Sequence, residues 1–166
     1  DFRCRNRQRV RWSEVDLQKV VFNAHYLSYV DIGMSEYWRQ LAVPYEEGTQ
    51  RLGGELFLKA TQIEYHASAR LDDVIDIGIR AAKLGNTSVT FEAGIFCADK
   101  LLVSATMVYV FANAQQQPTP IPDACRQMVG CGPPVDVGMH VEQAWQQDAA
   151  PKPKPGQTAA KQMRTK

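Results

Sequence analysis

Residues 24–41 read Ala-His-Tyr-Leu-Ser-Tyr-Val-Asp-Ile-Gly-Met-Ser-Glu-Tyr-Trp-Arg-Gln-Leu, and their spacing decides the fold. Leu27, Val30, Met34, Trp38 and Leu41 recur three or four residues apart, the period of one helix face. Tyr26, Tyr29, Gly33 and Tyr37 widen that stripe, and few charges break it: Asp31, Glu36 and Arg39. The spacing predicts a long helix, apolar over most of its circumference and wrapped by other structure. Asn23 stands where an N-cap is expected. Pro44 follows where such a helix must stop.

On either side of this helix the period changes to two, the signature of strands. Upstream, Arg3, Arg5, Arg7, Arg9 and Arg11 alternate with Cys4, Asn6, Gln8 and Val10. Downstream of Gly53-Gly54, residues 56–67 alternate through Gln62, Ile63, Glu64, Tyr65 and His66. Residues 74–84 carry Ile75, Ile77, Ile79 and Ala81 on one face. Residues 88–97 carry Val89, Phe91, Ala93 and Ile95, and residues 101–111 carry Val103, Ala105, Met107, Tyr109 and Phe111. Gly85-Asn86 and Ala98-Asp99-Lys100 punctuate these runs as turns. The order is strand, long helix, four strands, which predicts an α+β domain: one antiparallel sheet against one helix. Beyond Pro118, Pro120 and Pro122 a short helix is expected near 123–129. We read 1–128 as the domain and 129–166, rich in Pro, Gly, Gln and Lys, as a flexible tail. One helix leaves the sheet's far face and edges uncovered, so at least a dimer is expected.

A length of 166 residues suits one domain, and a 45% hydrophobic content supplies a core. No run of about 18 apolar residues suggests a membrane span, and no early apolar stretch reads as a secretion signal. Cys4, Cys97, Cys125 and Cys131 form no C-x-x-C pair, and we read them as thiols kept reduced in the cytoplasm. Cys125, Cys131 and His140 match no zinc spacing, so no metal is expected. The net charge of +1 is unevenly spread: five Arg and one Asp lie in 1–11, and four Lys and one Arg in 151–166. That leaves 9 basic and 17 acidic residues in 12–150, a charge of −8. Basic ends either meet polyanions, weak contact with a membrane surface included, or are simply solvated. The Arg stripe lacks the interleaved aromatics of single-strand binders, so nucleic acid is not an expected partner.

Several catalytic classes are excluded. Gly33-Met34-Ser35 continues to Tyr37 where a nucleophile elbow needs a second Gly, and Ser35 reads as a packing residue. There is no P-loop and no G-x-G-x-x-G. His25, His66 and His140 are too far apart for H-E-x-x-H ligation. His66 reads as a satisfied sheet histidine. What remains is Trp12-Ser13-Glu14-Val15-Asp16-Leu17-Gln18-Lys19-Val20-Val21-Phe22-Asn23, which joins the first strand to the helix. Glu14 and Asp16 stand just before a helix start, where unpaired N–H groups point outward. Such N–H groups can stabilise an oxyanion, and a carboxylate beside them can attack a carbonyl or activate water. On residue type and spacing alone the plainer reading stays open: a loop carboxylate that only caps the helix.

This segment, with Ala24-His25-Tyr26-Leu27 and Ser28-Tyr29-Val30-Asp31 after it, resembles the opening motif of the hotdog-fold thioesterases. It is most like the 4-hydroxybenzoyl-CoA thioesterase type, which includes the Tol–Pal-associated acyl-CoA thioesterases. Asp16, Val20-Val21, Asn23 and Tyr26-Leu27 carry the likeness. Ile63 to Asp73 looks like the family's second-strand signature, and Gly85-Asn86-Thr87-Ser88 like its CoA-contacting turn; the likeness as a whole covers roughly residues 8–125. The resemblance implies an antiparallel sheet wrapped around the long helix, assembled as homodimers or homotetramers with sites between subunits. It implies hydrolysis of an acyl-CoA, with no cofactor beyond the CoA of the substrate. Asp16 would be nucleophile or general base, and the backbone N–H near Asn23 the oxyanion donor. Substrate contacts would come from Phe22, His25, Tyr26, Ser68, Arg70, Lys83 and the Gly85, Asn86, Thr87, Ser88 turn, with Arg70 and Lys83 toward the CoA phosphates. Glu64 is a further carboxylate to consider. The family often has glycine where this chain has Gln18 and Lys19, a place where positive φ or close backbone approach would be needed. The rival function is a non-catalytic acyl-CoA-binding or regulatory hotdog protein. A hotdog hydratase would need a His–carboxylate motif that the chain lacks.

Overall fold

A computed structural model describes residues 2, 4–41 and 52–131. Strand β1 (Cys4–Arg9) is followed by one 3-10 turn (Trp12–Glu14) and helix α1 (His25–Gln40). Four strands come next: β2 (Glu55–Tyr65), β3 (Val74–Leu84), β4 (Ser88–Cys97) and β5 (Lys100–Ala112). Helix α2 (Asp123–Cys131) starts directly after Pro122 and ends the described part. It reaches past residue 128, the boundary expected from sequence. The expected tail from 132 onward, with His140, lies outside the described residues, as do Arg3 and Pro44.

The sheet is antiparallel throughout, in the order β1-β3-β4-β5-β2. Its register stacks Ile77, Ile95 and Val103 in one row, and Ile79, Ala93 and Ala105 in the next. These rows are the alternating apolar faces read from the sequence, and all six side chains are buried. Facing them, α1 buries Tyr26, Tyr29, Val30, Gly33, Met34 and Tyr37. The buried stripe is therefore centred on the tyrosines. Leu27 and Ile32 are exposed, so this chain leaves one side of α1 uncovered. Ser35 is also exposed, and its hydroxyl donates to the Asp31 carbonyl; it is not a packing residue.

The sheet's two edges differ. β1 buries Cys4 and turns Arg5 and Arg9 outward, and Arg7 is paired with Asp76 at 2.7 Å. β2, bulged between Leu58 and Ala60, is exposed along most of its length, with Phe57, Leu58 and Tyr65 open to solvent. Among the described residues no helix is long and apolar enough to cross a membrane.

Candidate active site

Asp16 sits in a small loop closed at its base. Val15 and Val21 pair as an isolated antiparallel bridge. Inside it, the Asp16 N–H donates to the Val20 carbonyl at 3.0 Å, and the Lys19 N–H to the Asp16 carbonyl at 2.9 Å. The Gln18 N–H donates to Asp16 Oδ1 at 2.7 Å, which fixes the rotation of the carboxylate. Lys19 has φ 61°, so the left-handed conformation expected of a glycine is adopted here by a lysine. The loop is tied to the rest of the chain by Val21 N–H to Ala69 carbonyl and Phe22 N–H to Glu14 carbonyl, both 2.9 Å.

The helix start lies just beyond. Its N-cap is Ala24, with helical φ and no side-chain cap bond. Asn23 is therefore not the cap; it sits in a turn one residue earlier. The N–H groups of His25, Tyr26 and Leu27 donate to the carbonyls of Phe22, Asn23 and Ala24 at 2.9, 3.3 and 3.2 Å. The Asn23 and Ala24 N–H groups find no hydrogen-bond partner among the described residues. They are the donors available to an incoming oxygen.

Beside the loop opens a cavity of about 740 Å³ lined by Trp12, Val15, Asp16, Leu17, Lys19, Arg70 and Leu71. Its walls are largely apolar, with one carboxylate and two cations. Trp12 and Leu17 are 78% and 102% exposed, so it is an open mouth. Trp12, Leu17 and Leu71 were not singled out from sequence. Trp12 and Leu17 flank Asp16 in the quoted segment, and an aromatic and an aliphatic residue so near a candidate carboxylate were the available signal.

A layer of tyrosines supports the loop. Tyr29 is 1% exposed and its hydroxyl donates to Glu14 Oε2 at 2.7 Å. The Arg11 N–H reaches the same oxygen at 2.7 Å. Burial, then the bond to Glu14, raises the Tyr29 pKa, keeping the phenol protonated. Tyr26, expected among the substrate contacts, is buried; its hydroxyl accepts the Ala69 N–H at 2.8 Å. Burial likewise raises its pKa. Tyr65, at the end of β2, donates to the Asn23 carbonyl at 3.2 Å.

The remaining expected site residues divide in two. Phe22 is exposed beside the loop, with the half-buried His25 ring edge-on to it at 6.1 Å. Ser68 and Arg70 lie in the exposed segment that leads from β2 to β3, and the Arg70 N–H donates to Asp73 Oδ2 at 2.8 Å. All of these are on the Asp16 side. Lys83 and the Gly85, Asn86, Thr87, Ser88 turn are at the opposite end of β3, whose 11 residues span roughly 33 Å. One chain does not bring them together with Asp16. That turn is firmly held: the Asn86 carbonyl accepts from Ile121 N–H at 2.8 Å and Arg126 Nη2 at 2.7 Å. Glu64 faces away from the core, opposite Ser104, and His66 Nε2 bonds Ser104 Oγ at 2.8 Å.

A sheet of this order with one long helix is the hotdog architecture, and comparison with known proteins gives its class. Residues 10–129 match the model of the Thioesterase-like superfamily, and the chain belongs to that family. It is 28% identical over 105 residues to the acyl-CoA thioester hydrolase YbgC of Escherichia coli, covering 61% of this chain and 75% of that one. Among solved structures it resembles a Thermus thermophilus thioesterase complexed with coenzyme A and zinc. The TM-score is 0.69 at 25% identity, over 78% of this chain and 93% of that one. A 1,4-dihydroxy-2-naphthoyl-CoA thioesterase from Synechocystis shares the fold: TM-score 0.69, 15% identity, 76% of this chain and 94% of that one.

Proposed function

We propose that this protein hydrolyses an acyl-CoA thioester to a free carboxylic acid and CoA, with Asp16 as the reacting carboxylate. The observation that carries this is the adjacency of two features in the short segment between β1 and α1. A carboxylate of fixed rotation borders an apolar-walled cavity, and the unpartnered N–H groups of Asn23 and Ala24 lie two and three residues past the loop's closing bridge. The family membership and the relatives' named activities support it. In the reaction a new C–O bond forms at the thioester carbonyl and the C–S bond breaks. The oxygen comes from water deprotonated by Asp16, or from Asp16 itself with water then opening the anhydride. The thiolate is a good leaving group, so no strong acid is required. The 4-hydroxybenzoyl-CoA-like branch, with its Tol–Pal-associated members, rests on the opening motif around Asp16. Buried Cys4 and Cys125 suit a reducing compartment, and the cytoplasm is the location proposed.

The test is CoA release measured by thiol detection across acyl-CoAs of several lengths. Asp16→Ala and Asp16→Asn should each lower kcat by roughly 10²–10⁴ while the circular dichroism spectrum stays native. Near-full turnover by Asp16→Ala would refute the assignment. Acyl-CoA binding without release at any length would instead favour the non-catalytic binder.

The proposed site uses two copies. The exposed β2 edge offers unpaired backbone groups together with Phe57, Leu58 and Tyr65. A twofold pairing of β2 with a second β2 reverses direction. The Gly85–Ser88 end of one copy then falls on the same side as the Asp16 end of the other. Arg70 of one chain and Lys83 of the other would meet the CoA phosphates. Light scattering at assay concentration should read a dimer or a larger even assembly; a fully active monomer rules this pairing out.

A further inference from the structure

We infer that Glu14, gripped by the buried Tyr29, is the positioning residue that sets Asp16 against the N–H groups at the start of α1. This rests on the hydrolase reading above. Glu14 is bonded on three sides. Its Oε2 accepts the Tyr29 hydroxyl and the Arg11 N–H, each at 2.7 Å. Its backbone carbonyl accepts the Phe22 N–H at 2.9 Å. Phe22 immediately precedes Asn23, whose N–H is a proposed oxyanion donor. Asp16 follows Glu14 by two residues.

The same residue thus fixes both halves of the site. Through its carbonyl it holds the donor side, and through the chain it holds the carboxylate side. Tyr29 supplies the anchor. It lies in the second turn of α1 and is almost wholly buried against the sheet, so its hydroxyl has one place to be. Glu14 itself is only half-buried; without the Tyr29 bond its Oε2 keeps only the Arg11 N–H, and the side-chain tie between the 3-10 turn and α1 is lost. Small displacements of reacting groups cost rate steeply, even when made from outside the reacting shell.

Both side-chain bonds end on one oxygen, so the role needs an acceptor there and not a charge. This separates positioning from the other use of a second carboxylate, direct participation in the chemistry. A glutamine offers the same oxygen with two lone pairs and can keep both bonds.

The experiment measures kcat and KM for CoA release by the full chain and by Tyr29→Phe, Glu14→Ala, Glu14→Gln and Asp16→Ala. Tyr29→Phe should lower kcat about tenfold with KM within about twofold. Glu14→Ala should lose at least as much, and Glu14→Gln should stay within about threefold of wild type. Glu14→Gln as poor as Glu14→Ala would overturn the inference, because the charge would then be what matters. Full kcat in Tyr29→Phe, with Asp16→Ala inactive, would overturn it while leaving the hydrolase reading intact. No CoA release by the wild type would overturn both.

Discussion

Lys19 holds φ at 61° in the loop that carries Asp16. A side chain there crowds the backbone, which glycine avoids. Lysine, unbranched at Cβ, tolerates the strain at about 1 kcal/mol or slightly more. Lys19→Gly removes that strain and adds freedom to the unfolded chain, two effects that roughly offset. Lys19→Val places a branched Cβ in the left-handed region and should cost about 1–3 kcal/mol. Thermal denaturation should therefore leave Lys19→Gly at or near the wild-type Tm and lower Lys19→Val by several degrees; a Val variant as stable as wild type would contradict this. The need for an unusual backbone at this position was legible, because the related motif carries glycine there. That lysine satisfies it was not legible, since a residue's tolerance depends on the loop's own hydrogen bonds. The Glu14–Tyr29 bond was equally hidden. Its partners stand 15 residues apart, and only the angle between turn and helix makes them meet.

At the scale of elements, the contact between α1 and the sheet turns on Gly33. A Cβ added there would lie 2.7 Å from Ile77 Cγ2 and 3.2 Å from Ile79 Cγ1. Ile77 and Ile79 are themselves locked in rows with Ile95 and Ala93, so they cannot retreat cheaply. Gly33→Ala should destabilise by about 1–3 kcal/mol despite its better helix propensity, read as a lower denaturant midpoint at constant m-value. A gain in stability would mean the helix can lift off the sheet. The strands were readable almost to the residue because period two is written plainly in Ile75-Asp76-Ile77-Gly78-Ile79 and its neighbours. Sheet order was not: nothing local to β1 or β2 says that the first joins β3 and the second β5. The centre of the buried helix stripe lies one step from the aliphatic spacing for a similar reason. Aliphatic spacing pointed to Leu27, whereas the larger tyrosines fill the space above the sheet.

Over the whole molecule, the core buries several weak acids: Cys4, Tyr26, Tyr29, Tyr37 and Cys125. Burial, then the nearby Glu36 charge, pushes the Cys4 thiol from 9.0 up to about 12. Burial, then Cys4 and Cys125, pushes Tyr37 from 10.0 up to about 12. Tyr26, Tyr29 and Cys125 are raised in the same direction, burial being the largest cause in each. The sign follows directly. In the unfolded chain these groups release protons near 9 to 10, while the folded protein holds Cys4 and Tyr37 to about 12 and raises the other three in the same direction. The unfolded state therefore binds fewer protons in that window, and stability falls as pH rises. The stabilisation is complete below about pH 9 and is lost progressively up to about pH 12. Denaturant midpoints under reducing conditions should be flat near neutrality and drop steeply above about pH 9. Tyr37 isolates the cause. Its hydroxyl is buried with no hydrogen-bond partner among the described residues, so Tyr37→Phe should cost little near neutral pH. The same variant should fall less steeply in alkali, since one raised group is gone. An alkaline slope unchanged in Tyr37→Phe would show that other groups carry the effect.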